Sequence, residues 1–263
     1  MTRQNFYKDK RARQIQAIDE DLVVALVRRE RRLQPRLGSR KLYRILKREL
    51  TEAGIKIGRD RFLKVLKKHG LLVPPLLPRS RSTTNSRHYL PVFPNLIKDL
   101  EPAAPNQVWV SDITFIRTYE GFEYLVLLMD LFSRKIVGYH CSEDATNAAN
   151  LSALEMALTE LPPWCHPIHH SDRGAQYCCH AYVEALQHHN FAISMTEENH
   201  CYENSHAERL NGILKQEYAL GVAFATRRQA RLAVDQAVWL YNNRRPHGSL
   251  NDQIPADVYT SAA

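Results

Sequence analysis

A chain of 263 residues, 44% hydrophobic and 24% charged, can hold a core domain and a smaller companion, and it is too apolar for a disordered chain. No apolar run approaches the roughly 20 residues of a membrane span, and the N-terminus MTRQNFYKDKRARQ lacks the apolar segment of a signal peptide, so the expectation is a cytoplasmic protein with no membrane partner. The net charge of +8 divides unevenly: residues 1–90 carry 24 Lys and Arg against 8 Asp and Glu, whereas residues 91–263 carry 12 against 20, which points to a polyanion held by the first third.

From about Arg13 to Arg32, Ile15, Ile18, Leu22 and Leu26 recur at helical spacing, and basic residues crowd the C-terminal end, where the helix dipole favours them. Ser39 is placed to cap a second helix, RKLYRILKREL, with Leu42, Ile45, Leu46 and Leu50 on one face. A turn with Gly54 and Gly58 leads to RDRFLKVLKKHG, where Phe62, Leu63 and Leu66 face inward and Arg59, Arg61, Lys64, Lys67 and Lys68 face out. Two short helices with a glycine-bearing turn, the second densely basic, fit a helix-turn-helix whose second helix enters a DNA groove; the bland alternative is a three-helix unit with a solvated basic face. Residues 74–106 hold seven of the thirteen prolines and the stretch RSRSTTNSR, which reads as an extended linker.

QVWVSDITFIRT, FEYLVLLMD and RKIVGYHC read as three strands with short connections, hence an antiparallel meander. A helix over about Asn147–Leu161, the short strand PIHH, a helix around Tyr182, Val183 and Leu186, the strand FAISM and the helix SHAERLNGILKQEY follow. The order βββ-α-β-α-β-α is an α/β fold: a mixed five-stranded sheet flanked by helices, preceded by a small all-α domain.

Three carboxylates stand out. Asp112 lies in the first strand, Asp172 just past the fourth, and Glu208 on the last of these helices, with 35 residues between Asp172 and Glu208. Any one of them reads most simply as a turn or cap residue. Brought together they would repel, so cations must sit between them or a proton must bind. Hard divalent ions take such oxygen ligands, and two of them can activate a hydroxyl and stabilise the leaving oxygen of a phosphoryl transfer. Asn204, Glu208, Asn211 and Lys215 fall near one face of that helix, and Lys215 is placed to hold a phosphate beside the acids, although a lone helical lysine is usually solvated.

WVSDITFI, DLFSRKIVGY, HSDRGAQY, YENSHAERLNGILKQE and YNNRRPHGSL, in this order and spacing, resemble the second-frame (OrfB) transposases of bacterial two-frame insertion sequences. That group belongs to the retroviral-integrase superfamily, with a ribonuclease-H-like core and an Asp, Asp, 35, Glu signature. PRLGSRKLYRILKREL through KKHGLLVP resembles the helix-turn-helix that precedes this core. The resemblance implies Asp112, Asp172 and Glu208 as catalytic metal ligands for two Mg²⁺ ions, with Mn²⁺ as a substitute, and Lys215 as a DNA contact. It implies strand cleavage at element ends and 3′-hydroxyl attack on target DNA, a nucleoid-associated location, a multimer on DNA, and a partner or fused segment from the upstream (OrfA) frame, absent from a chain that begins near the OrfB start. The domain boundaries expected are 1–73 for a helix-turn-helix-like DNA-binding region, 74–106 for the linker, 107–220 for the catalytic core and 221–263 for a helical extension. Glu203 stands where Asp is common and Ala175 where Ser is common; neither touches the three acids.

Other signals weigh less. Cys165, His166, His169, His170, Cys178, Cys179 and His180 lack the paired spacing of zinc sites, and the five cysteines read as free thiols. His170 is a candidate polar support at the acid site, Asp130 reads as a turn residue, Trp239 and Tyr241 as core, and Arg244, Arg245 and His247 as contacts to DNA or a neighbouring subunit. The rival functions are a ribonuclease-H-like nuclease and a non-catalytic DNA-binding regulator derived from a transposase.

Overall fold

The computed structural model describes residues 3–74, 89–144, 146–197 and 201–262. The chain divides into two units, Met1–Leu77 and Pro78–Ala263. Residues 75–88, which include RSRSTTNSR of the expected linker, lie outside the described residues.

In the first unit, α1 (Arg3–Leu33), α2 (Ser39–Glu52) and α3 (Arg59–Lys68) pack around Val23, Val27, Leu42, Leu46, Leu50, Phe62 and Leu66. The buried stripe of α1 is not the one expected. Val23, Val24 and Val27 face inward while Leu22 is exposed and Leu26 half-buried, because three valines one step along the helix offer the narrower seam on which α2 and α3 close. The side chains of Ile15 and Ile18 lie outside the described residues. Ser39 does not cap α2: it is the first helical residue, and the cap position is Gly38. The helix ends at Gly54, whose left-handed φ of +76° lets Ile55 N–H reach the Leu50 carbonyl and turns the chain toward α3. Val65 joins Phe62 and Leu66 on the buried face of α3, and Leu63 is half-buried.

The second unit is built on a five-stranded sheet in the order β3-β2-β1-β4-β5. β1 (Val108–Thr118), β2 (Gly121–Asp130) and β3 (Ile136–Ser142) form the antiparallel meander. β4 (Ile168–Ser171) and β5 (Ala192–Met195) add parallel on the other side of β1, each after a helical crossover. Such crossovers place helices on both faces, so the central strands are apolar on both sides rather than alternating.

One face carries α4 (Asn147–Leu158), α5 (Ala175–Cys178) and α6 (His180–His188), packed on Trp109, Val126, Leu128 and Val137. α4 lies so close to β3 that a Cβ on Gly138 would stand 2.2 Å from the Ala153 carbonyl oxygen, so only glycine fits there. The other face carries α7 (Ser205–Glu217) and α8 (Arg227–Arg244), packed on Val108, Val110, Leu125, Leu127 and Met129, and α9 (Pro255–Ser261) follows. α8 therefore belongs to the same core as the sheet. Its buried stripe runs Ala230, Val234, Ala237, Val238 and Tyr241, which leaves Trp239, expected in the core, 59% exposed one position out of phase. No described helix is long and apolar enough to cross a membrane.

Candidate active site

β4 pairs with β1 through Val108 opposite Ile168, Trp109 opposite His169 and Val110 opposite His170. Continuing that register by two residues sets Asp112 beside Asp172, at the point where β4 ends and β1 runs on. A crevice at the carboxyl end of a parallel strand, where neighbouring connections diverge, is the usual ligand position in sheets of this kind.

α7 lies along β1 and supplies the third acid. Asn204, at its N-cap, donates its amide to the Ser111 carbonyl at 3.0 Å, and one turn after Glu208 the amide of Asn211 donates to Asp112 Oδ2 at 2.7 Å. Glu208 stands between these two anchors, exposed, in the first turn of α7, where unpaired backbone N–H groups favour a negative charge. Lys215, one turn further, is half-buried: burial lowers its pKa and the charge of Asp112 raises it.

The acids share a field. Burial, then the charge of Asp172 and more weakly that of Glu208, push the Asp112 carboxyl up to about 7, against hydrogen bonds from Ile113 N–H and Asn211 that favour its ionised form. Asp172 accepts the Gly174 N–H at 2.9 Å, which aims its carboxylate back over the end of β4. Among the described residues no three His, Cys, Asp or Glu side chains converge closely enough to hold one ion between them. The charges of Asp172 and Glu208 both act on Asp112, and a cation beside it would relieve the carboxyl that they push toward protonation.

This arrangement meets a consistent set of relatives. The chain is 39% identical over 215 residues to the insertion element IS600 uncharacterized 31 kDa protein of Shigella sonnei, covering 81% of this chain and 79% of that protein. It is 32% identical over 221 residues to the transposase for insertion sequence element IS629 of Shigella sonnei, covering 84% and 73%. The chain belongs to the insertion-sequence transposase family. Integrase core domain families match its residues 102–201 and 189–255. The fold agrees: the simian T-cell lymphotropic virus intasome in complex with PP2A regulatory subunit B56 gamma superposes with a TM-score of 0.53 at 18% identity, covering 84% of this chain and 74% of that one. The core thus has a ribonuclease-H-like fold of the integrase type, and the function is that of a DNA transposase, a family whose reaction is polynucleotidyl transfer.

Around this transposase core several side chains have roles other than those expected. His170 does not support the acids. It is buried, Nδ1 lies 2.8 Å from Ser194 Oγ on β5, and burial depresses its pKa to about 4, so it ties two strands as a neutral ring. His169, on the opposite face, is held neutral more strongly, with its pKa near 3, and meets the Tyr182 hydroxyl at 2.9 Å. Arg245 is buried against Glu217, at 2.8 Å from Nε, and is unavailable as a surface contact. Asp130 keeps the turn role expected of it: it accepts from the backbone N–H groups of Asn106 and Ser133 and closes the turn after β2. Tyr177, five residues past Asp172, is a residue that reading the sequence for acids and cations passes over. Its hydroxyl lies 2.8 Å from Ser111 Oγ directly behind Asp112, and burial, then the charges of Asp112 and Asp172, hold its pKa well above the usual value. The one signal for it is that a tyrosine ends HSDRGAQY.

In the first unit, Arg59, Arg61, Lys64, Lys67 and Lys68 are all exposed on α3. Lys68 pairs with Glu20 at 2.6 Å and Arg59 with Asp60 at 3.1 Å, leaving Arg61, Lys64 and Lys67 with no acid partner among the described residues.

Proposed function

We propose that this chain cleaves the ends of its insertion element and joins the freed 3′-hydroxyls to target DNA, with Asp112, Asp172 and Glu208 as the catalytic carboxylates. The observation that supports this reading most directly is that Asp112 and Asp172, each two residues beyond the last β1–β4 pair of Val110 with His170, share a field that includes Glu208. Two Mg²⁺ ions, replaceable by Mn²⁺, held by these three acids would supply the charge that lowers the pKa of the attacking hydroxyl and stabilises the leaving oxygen. The protein's own residues do the positioning. Asn211 holds the Asp112 carboxylate by one oxygen, and Asn204 docks the start of α7 on β1 so that Glu208 stays over the crevice. Lys215 neutralises a phosphate of the DNA strand beside the acids, which suits an ammonium that rests over the Phe115 ring and within the field of Asp112. Arg59, Arg61, Lys64, Lys67 and Lys68 of α3 bind the DNA backbone, so residues 1–73 serve as the DNA-binding region, 74–106 as a linker, 107–220 as the catalytic core and 221–263 as a helical extension that completes its packing. An upstream-frame (OrfA) product, as a partner or by fusion, supplies further recognition of the element's ends.

The test uses labelled DNA carrying the element's inverted repeats, Mg²⁺ or Mn²⁺, and the chain with and without its fused upstream segment. Joining of 3′ ends is expected, and Glu208→Gln, which keeps shape and removes the charge, should reduce it by on the order of a thousandfold while DNA binding persists. Hydrolysis without joining, even with the fusion, would point to a nuclease; binding without chemistry would point to a regulator.

A further inference from the structure

β5 ends the sheet, and residues 93–98, part of the Pro-rich segment expected as a linker, run beside it as a strap. The strap crosses the sheet edge from one face to the other: Phe93 packs on the core beneath α4 and α6, and Ile97 on the core beneath α7 and α8. Two of its bonds are with β5 itself. The Met195 N–H donates to the Pro94 carbonyl at 3.3 Å, and the Leu96 N–H donates to Ser194 Oγ at 2.9 Å. Covering an edge strand in this way is a common protection, and these two bonds serve it.

The other bonds of the strap reach past β5. Asn95 is fixed by its own turn, with Oδ1 accepting the Ile97 N–H at 3.1 Å, and its amide donates to Glu203 Oε2 at 2.8 Å. The same Glu203 oxygen accepts the Glu197 N–H at 2.7 Å, and Lys98 Nζ lies 3.3 Å from Glu197 Oε1. None of these is needed to cover an edge. Glu203 belongs to the 3₁₀ turn Cys201–Asn204 that leads into α7, and the next residue, Asn204, is bonded to Ser111 of β1. The start of α7 is therefore pinned from two sides, by the strap through Glu203 and by β1 through Asn204, and Glu208 follows in the first helical turn. A charged acceptor shared by two N–H donors belongs to the stronger class of hydrogen bond, so this corner is held more firmly than backbone bonds alone would hold it.

We propose that Asn95 and Glu203 are positioning residues for Glu208: through them the strap sets where α7 begins, and so how the Glu208 carboxylate stands toward Asp112. This deepens the transposase reading and rests on it. A displacement of about 1 Å at a reacting group can cost on the order of a hundredfold in rate, which is how a bond made well outside the crevice is felt within it.

The experiment uses the full chain, Asn95→Asp, and Asn95→Asp combined with Glu203→Gln. The single change sets two carboxylates against each other. The combined change gives back a donor facing an acceptor in the reverse sense and leaves an oxygen for the Glu197 N–H. Without DNA, amide hydrogen exchange over residues 209–214 should be about tenfold faster in Asn95→Asp, with β1–β3 unchanged, and should return toward the unaltered rate in the double variant. With saturating DNA carrying the element's end, strand joining should fall by about 10- to 100-fold in the single variant and recover in the double, while DNA affinity stays within about twofold. Unchanged exchange over residues 209–214, faster exchange spread through the whole sheet, or no recovery in the double variant overturns the proposal. Glu208→Gln on the same DNA separates the two ideas. Joining lost in Glu208→Gln but not in Asn95→Asp sinks only the positioning role, whereas joining that survives Glu208→Gln sinks the catalytic assignment, and exchange that still follows the pair then keeps the strap as the anchor of α7.

Discussion

The two units handle surplus charge in opposite ways. In the first, cations outnumber acids and are spread over exposed helix surface, while its acids are spent on ion pairs such as Arg29 with Glu49 at 2.6 Å and Lys68 with Glu20 at 2.6 Å. In the second, acids outnumber cations, and most of the described ones are likewise paired or bonded, but Asp112 is buried within the field of Asp172 and Glu208 and is pushed toward protonation. A like-charge surface in water is cheap because solvent and salt screen it. A like-charge cluster inside a crevice is not, and it persists only because strand register and helix docking hold it. The first kind of excess would attract a polyanion in general; the second would favour a cation at one point.

The sharpest break of that comparison targets an acid of the second unit that has nothing to do with the crevice. Glu123, with its side chain fully buried, is gripped by Arg231 at 2.9 and 3.0 Å, with Arg227 at 3.7 Å, and joins the start of α8 to β2. Glu123→Ala should destabilise the core by about 2–4 kcal/mol, read as a lower urea midpoint at unchanged slope, because it leaves two partly buried cations facing an empty site. A loss below about 0.5 kcal/mol would mean that acids outside the crevice are not structural.

The first unit is tested next. Replacing Arg61, Lys64 and Lys67 together with glutamine should weaken DNA binding at low salt by about tenfold or more, and should reduce the slope of log affinity against log salt by roughly 2.7, at about 0.9 for each phosphate that is no longer neutralised. An unchanged slope would show that the basic face of α3 is merely solvated.

The smallest effect is the pH dependence of the acid site. Asp112 is pushed up to about 7 from 3.8, so the folded state holds a proton that the unfolded state releases; its contribution to stability is present below about pH 4 and is lost as pH rises toward 7. His169 and His170, depressed to about 3 and 4, act with the opposite sign: their contribution is present above about pH 6.5 and is lost on acidification. The Asp112 part is therefore the difference between the unaltered chain and Asp112→Asn. Without metal, the variant should gain a few degrees in Tm relative to the unaltered chain between pH 4 and pH 7.5, and Mg²⁺ at pH 7.5 should raise only the unaltered chain. Parallel curves would show that Asp112 does not feel its neighbours.

Much of this was legible in the sequence, and the reasons differ by element. The meander, the crossover strands and α7 followed from periodicity, and the three acids from their motif and spacing. Helix phase was less legible: α1 carries both a Leu/Ile series and a Val series, and periodicity alone does not say which seam its partners close on. Trp239 failed for the same reason, since a large aromatic beside Leu240 and Tyr241 reads as core until the docking angle of α8 is known. Arg245 looked like a surface contact because its partner Glu217 is 28 residues away in the chain and adjacent only through the packing of α7 on α8.

The sequence by itself determined which local conformations the segments prefer, where the charge lies and which family the motifs belong to, since these depend on neighbouring residues. Only the tertiary structure decided that Asp112 feels the charge of Asp172, that Asn211 holds Asp112, and that His170 is spent between β4 and β5. Those are contacts between segments far apart in the chain, and their energies arise from burial and mutual charge that exist only once the sheet has formed.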